Sequence, residues 1–94
     1  MHIHQSLQEL GDRLTRARDE LRIADEQLLF QNDVVDETKT RMLVSETPLA
    51  DRAFREARDD QKKLQTQRDR AQTAIDDLQR EQDRLLDRML GAES

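Results

Sequence analysis

Apolar residues recur along both halves of the chain at alternating spacings of three and four, and polar residues fill the positions between them. An average period of 3.5 residues keeps one narrow stripe of a helix facing a partner helix, so the pattern predicts two long coiled-coil helices. In the first half this stripe, called the seam below, comprises Ile3, Leu7, Leu10, Leu14, Ala17, Leu21, Ala24, Leu28, Gln31, Val35, Thr38 and Met42. In the second half it comprises Ala50, Phe54, Ala57, Gln61, Leu64, Arg68, Ala71, Ile75, Leu78, Gln82, Leu85 and Met89.

Capping residues predict where these helices begin and end. Ser6 and Glu9 have the spacing of a capping box, so we expect the first helix to become regular just after Ser6. Thr47-Pro48 matches an N-cap followed by proline at the first helical position, and Gly91 suits the position just past a helix C-terminus. The sequence therefore predicts one domain, residues 1–94, with helix 1 over about 6–44, a turn at 45–47, helix 2 over about 48–90, and frayed ends at 1–5 and 91–94.

The short link between the helices predicts their arrangement, because short links join antiparallel neighbours. The predicted fold class is all-α: an antiparallel two-helix coiled-coil hairpin that dimerises into a four-helix bundle. Facing residues of an antiparallel pair have numbers with a constant sum. A sum of 92 places Leu28 opposite Leu64, and a sum of 99 places Leu28 opposite Ala71. We prefer 92 because it suits the tight turn, and 99 is the alternative.

Five seam positions are polar where an apolar residue would pack better. Polar residues in a seam cost stability but specify the alignment of two helices, so we interpret these five as register-setting residues. A ligand pocket between the helices is the alternative interpretation. The five residues are Gln31, Thr38, Gln61, Arg68 and Gln82.

The segment EQLLFQNDVVDE, residues 26–37, holds more apolar side chains than the seam can bury. Phe30 forms a second stripe with Ile23 and Val34, at spacings of seven and four. A contiguous exposed apolar patch usually marks an interface, and coverage by neighbouring long charged side chains is the alternative. The predicted dimer or partner interface comprises Ile23, Leu29, Phe30, Val34, Leu43, Val44 and Leu49.

The composition narrows the class of protein. Charged residues make up 39% of the chain and aromatic residues 2%, which is typical of long helices rather than of a globular core. Acids and bases alternate at a net charge of −5, so there is no basic stripe and we expect no direct contact with nucleic acid. No apolar run has the length of a signal peptide core or a membrane span, so we expect a cytoplasmic protein without membrane contact.

The residues that carry chemistry are sparse. The chain has no cysteine, and its only histidines, His2 and His4, lie near the N-terminus without a nearby cysteine or a matching cluster. We therefore predict no enzyme activity, no catalytic or metal site and no cofactor. The expected function is a non-catalytic coiled-coil interaction or assembly module, an adaptor, that acts through self-association and the apolar face of helix 1. The alternative is a small transcription regulator, an anti-sigma-like or RNA-polymerase-binding helical hairpin.

Overall fold

The computed structural model describes residues 2–93, and nearly all of them lie in two long helices. Helix α1 spans His2–Ser45 and helix α2 spans Pro48–Glu93, with Glu46 and Thr47 between them. No strand occurs within residues 2–93. In the same range neither helix has a stretch long and apolar enough to cross a membrane. The predicted all-helical class and its division into two helices are confirmed.

Local hydrogen bonds define the turn between α1 and α2. The N–H of Glu46 donates to the carbonyl of Met42 at 3.1 Å, and Glu46 has a φ of 51°. This is the left-handed cap that commonly ends a helix. The N–H of Ala50 donates to Thr47 Oγ1 at 3.2 Å, and the N–H of Asp51 donates to the Thr47 carbonyl at 3.0 Å. Thr47 is therefore the N-cap of α2, as predicted.

The outer helix ends differ from the sequence prediction. Residues 2–5 and 91–93 are helical rather than frayed, while the predictions for Met1 and Ser94 lie outside the described residues. Ser6 lies within α1 and does not cap it, and Glu9 accepts a hydrogen bond from Gln5 instead, at 3.5 Å. Gly91 continues α2, since no glycine among the described residues has a positive φ. The seam extends to Ile3, which lies before Ser6 and is half-buried. Burial of this end of α1 therefore outweighs the local capping signal of Ser6 and Glu9.

The chain divides into two compact units, and the first contains the apolar core. Unit 1 comprises Met1–Leu21 and Arg70–Ser94. Within it, seam residues from both helices form one buried cluster, against which Leu21 and Leu85 pack. The cluster consists of Leu10, Leu14, Ala17, Ile75 and Leu78.

Unit 2 comprises Arg22–Asp69 and includes the turn. Its buried hydrophobic residues are both alanines, Ala24 and Ala57. The larger seam residues Leu28, Val35 and Leu64 are only half-buried there. Polar side chains supply the hydrogen bonds between α1 and α2 in this unit. Unit 2 is therefore a helical hairpin whose seam lacks large buried apolar residues and is crossed by polar hydrogen bonds.

Burial follows the predicted seam throughout the described residues. Every residue assigned to the seam from the sequence is buried or half-buried, in α1 and in α2 alike. The positions between them are mostly exposed, as expected of helices that bury one stripe. The 3.5-residue pattern therefore identified correctly which face of each helix is covered.

Candidate interaction surface

The predicted interface residues are the main exposed apolar side chains of unit 2. Phe30 is 71% exposed and Ile23 is 45% exposed, while Val34 is half-buried. Leu29, Leu43, Val44 and Leu49 are each more than half exposed. Exposure on this scale is uncommon for phenylalanine and leucine, and the chain has only two phenylalanines.

These residues do not form one continuous face of α1. Successive residues of an α-helix are turned by about 100°, so Leu29 and Phe30 point in different directions. Ile23, Phe30 and Val34 lie on one flank of the seam, and we call them the Phe30 stripe. Leu29 lies on the opposite flank. The predicted interface is thus two surfaces, together with the apolar residues near the turn.

An open groove runs beside the Phe30 stripe. It has a volume of about 480 Å³ and includes a residue of α2, Leu64, so both helices of unit 2 contribute to it. Phe30 and Leu64 provide apolar surface and the remaining lining is polar. The groove is lined by Glu26, Gln27, Phe30, Gln31 and Leu64.

Acidic residues border the Phe30 stripe on its solvent side. Residues three and four positions away are neighbours on a helix surface, so Glu26 and Asp33 lie next to Phe30. Glu26 pairs with Arg22 at 3.2 Å, between side chains that are both well exposed. Asp33 makes no ion pair within residues 2–93. The stripe therefore presents an apolar surface with a negatively charged edge.

Two of the polar seam residues form hydrogen bonds between α1 and α2. Gln31 Nε2 donates to the carbonyl oxygen of Ala57 at 2.9 Å. Gln61 Nε2 donates to Asn32 Oδ1 at 2.8 Å. Both amides are half-buried, and a displaced helix would leave them without these partners. These contacts fit the predicted register-setting role of Gln31 and Gln61.

Arg68 is the third polar seam residue with a partner on the other helix. Its Nε donates to Asp25 Oδ1 at 3.0 Å, and Nη1 lies 3.5 Å from Asp69 Oδ1. The hydrogen bond from Arg68 to Asp25 and the charge of that carboxylate raise the pKa of the guanidinium. The Arg68 charge is therefore constant over the accessible pH range and adds no pH dependence to stability.

The remaining two polar seam residues, Thr38 and Gln82, make no side-chain hydrogen bond between α1 and α2 within the described residues. Thr38 Oγ1 donates to the carbonyls of Val34 and Val35 in its own helix, at 2.8 and 3.0 Å. Gln82 makes no side-chain hydrogen bond within the described residues. Their predicted role in setting the register stays a prediction without a contact to support it.

Sequence reasoning missed two residues that complete the polar contacts of unit 2. Asp25 and Asn32 lie just outside the seam, each directly after a seam residue, Ala24 or Gln31. Acidic or amide residues at such edge positions reach across to the other helix. This position beside the seam is the signal that could have identified them, but many exposed residues of the chain share it.

A second groove lies at the turn, with a volume of about 470 Å³. Asp51 on its rim pairs with Arg55 at 3.7 Å, as its acid-first spacing suggests. Leu43 lines the groove, and Val44 and Leu49 are exposed close by in the chain. The lining residues are Met42, Leu43, Glu46, Thr47, Pro48, Asp51 and Arg55.

The two histidines are exposed on the first turn of α1. Residues two positions apart on a helix point to different sides, so His2 and His4 do not converge on one point. Across residues 2–93 no group of three or more potential metal ligands is found. Comparisons with known proteins add no family or relative: no family model, curated protein or solved structure matches the chain.

Proposed function

We propose that the chain is a non-catalytic coiled-coil interaction module. In this proposal it forms an antiparallel two-helix hairpin, self-associates into a four-helix bundle, and acts as an adaptor or assembly unit. The Phe30 stripe and the apolar residues near the turn provide the interface. The observation that carries the proposal is the 71% exposure of Phe30 beside a groove lined by both helices of unit 2.

Antiparallel packing is supported by the contacts between α1 and α2 in unit 2. Gln31 bonds a residue 26 positions away, Gln61 one 29 positions away, and Arg68 one 43 positions away. The separation grows with distance from the turn, as expected when the second helix runs back along the first. The paired numbers sum to 88 or 93, which favours the register of 92 over that of 99.

Self-association is supported by the surface area of the single chain. The chain exposes 7280 Å², whereas a compact monomer of 11.1 kDa exposes about 5,700 Å². The surplus is about 1,600 Å², and a stable protein interface typically buries about 800 Å² on each partner. One chain therefore has enough surplus surface for an interface of ordinary size.

The proposal is tested by replacing Phe30 with Asp. Burying a phenylalanine contributes about 1.5–3 kcal/mol, and a symmetric dimer contains the contact twice, so we expect at least about a 100-fold weaker dimer. Sedimentation would measure association and circular dichroism would measure helicity on the same samples. The seam is unchanged by this substitution, so helicity should persist.

Leu90→Asp is the matched control, because Leu90 is also exposed but lies outside the proposed interface. It should associate as the wild type does. Equal weakening by both substitutions, or none by Phe30→Asp, would contradict the proposed interface. A wild-type chain that stays monomeric at every concentration would contradict self-association and favour the alternative of a small transcription regulator.

A further inference from the structure

We infer that the second copy lies with its turn at the same end as the first, so that α2 of each copy covers the Phe30 stripe of the other. The inference rests on the proposed self-association and specifies which helix of the second copy fills the groove. Its occupant is the start of α2, residues 52–63, which carries a net positive charge. The charges along α1 and α2, the symmetry of a dimer, and the exposed residues near the turn support this arrangement.

The surroundings of the Phe30 stripe disfavour a second copy of α1 as its cover. Residues 23–38 contain five acids and no lysine or arginine. Some of these acids are neutralised within the chain, Asp25 by Arg68 and Glu26 by Arg22, but Asp33 has no ion pair in the described residues. Two such segments laid together would place acids opposite acids, which is destabilising.

The start of α2 has the complementary chemistry. Residues 52–63 contain five bases and three acids, so their net charge is +2 against −5 for residues 23–38. The bases are Arg52, Arg55, Arg58, Lys62 and Lys63, and the acids are Glu56, Asp59 and Asp60. Long basic side chains cover apolar surface with their aliphatic stems and place their charge at its edge. Within α2 a basic group already contacts an apolar ring, because the Arg58 guanidinium carbon lies 5.5 Å from the centroid of the Phe54 ring.

Lys63 is the base best placed to reach the groove of the second copy. At 100° per residue, Lys63 falls on the edge of α2 that carries Leu64, which lines the groove. Lys62 falls on the other edge, which carries Gln61 and its bond to Asn32. Neither lysine makes an ion pair within residues 2–93, so Lys63 is available to a partner.

Symmetry then determines which residues meet. A two-fold axis perpendicular to the helices places α1 of one copy on α1 of the other, with the turns at opposite ends. A two-fold axis parallel to the helices places α1 of one copy on α2 of the other, with the turns at the same end. In the second arrangement equivalent residues of the two copies lie level. With the register of 92, Phe30 is level with residue 62 of the second copy, and Lys63 of that copy is level with residue 29. Lys63 then lies between Glu26 and Asp33.

The same arrangement accounts for the second set of exposed apolar residues. With both turns at one end, Leu43, Val44 and Leu49 of the two copies meet there, and the two grooves at the turn lie close together. With the turns at opposite ends, these residues of one copy would lie far from those of the other. The apolar surface near the turn therefore favours the axis along the helices.

The first test compares Lys63→Glu with its neighbour Lys62→Glu, which carries the same change of net charge. Both positions are exposed, so folding should be unaffected. We expect Lys63→Glu to weaken the dimer about tenfold, because each symmetric dimer contains the affected contact twice. Lys62→Glu should stay close to the wild type, and adding Asp33→Lys to Lys63→Glu should restore most of the lost affinity. Equal effects of the two lysine substitutions would overturn the assignment of Lys63.

The second test measures the distance between the two turns directly. The chain has no cysteine, so Ser45→Cys allows one spin label at the exposed end of α1. If both turns lie at one end of the dimer, the distance between the labels should be below about 30 Å. If α1 instead lies on α1 of the second copy, centred near Phe30, the distance should be about 50 Å. The longer distance in a proven dimer would overturn this inference and leave self-association intact. A monomer by sedimentation would instead overturn the proposed function.

Discussion

Glu46 is the position where one substitution should stabilise the hairpin turn. It adopts a φ of 51°, in the left-handed region, and its N–H caps α1 by bonding the Met42 carbonyl at 3.1 Å. A residue with a Cβ pays about 1–2 kcal/mol for this conformation, and glycine avoids that cost. Glycine is also more flexible in the unfolded chain, which offsets about 0.4–1 kcal/mol. We therefore expect Glu46→Gly to raise the free energy of unfolding by about 0.5–1 kcal/mol.

Thermal unfolding followed by circular dichroism measures this change. For a chain of this size, 1 kcal/mol corresponds to a Tm shift of about 4–8 °C, so Glu46→Gly should raise Tm by about 2–8 °C. All samples need the same protein concentration, because association makes Tm concentration-dependent.

Glu46→Ala is the matched control for the turn. It removes the carboxylate but keeps the Cβ, so it should unfold close to the wild type. If alanine stabilises as much as glycine, the gain comes from losing the side chain and not from the backbone conformation. A glycine variant no more stable than the wild type would refute the reasoning outright.

Three further predictions concern the same hairpin. Thr47→Ala removes the Oγ1 acceptor of the Ala50 N–H and should destabilise the chain by about 1 kcal/mol in urea unfolding, whereas Thr47→Ser should not. Gln31→Leu should leave the free energy of unfolding unchanged or raise it by up to about 1 kcal/mol, because the Ala57 carbonyl lies within helix α2 and keeps its backbone partner. A decrease of more than about 1 kcal/mol would mean that the hydrogen bond from the Gln31 side chain is essential. Amide hydrogen exchange should be slower along the seam of unit 1 than along that of unit 2, because the buried leucines and isoleucine lie in unit 1; the reverse order would contradict the assignment of the core.

The buried stripe of each helix could be predicted because it depends only on spacing along the chain. A seam with a 3.5-residue period assigned Leu10, Leu14, Ile75 and Leu78 to the core, and the structure places all four in one cluster. The N-cap at Thr47 was equally local. Both signals act within a few residues of the chain, where one sequence contains the needed information.

The features that depend on the meeting of two helices were harder to predict. The partner of Gln31 is a main-chain carbonyl and not Gln61, which the predicted register of 92 places opposite it, since side-chain rotamers decide which group is reached. The left-handed residue at the turn is Glu46, where rules based on glycine or asparagine give no signal. Leu29 and Phe30 were grouped because both lie off the seam, although the helix turns them to different flanks.

Sedimentation equilibrium of the wild-type chain tests the central claim of self-association most directly. The account predicts a weight-average mass that rises with concentration from 11.1 kDa towards twice that value, and a Phe30→Asp chain that remains at 11.1 kDa over the same range. A wild-type mass that stays at 11.1 kDa up to the highest concentration would contradict the account.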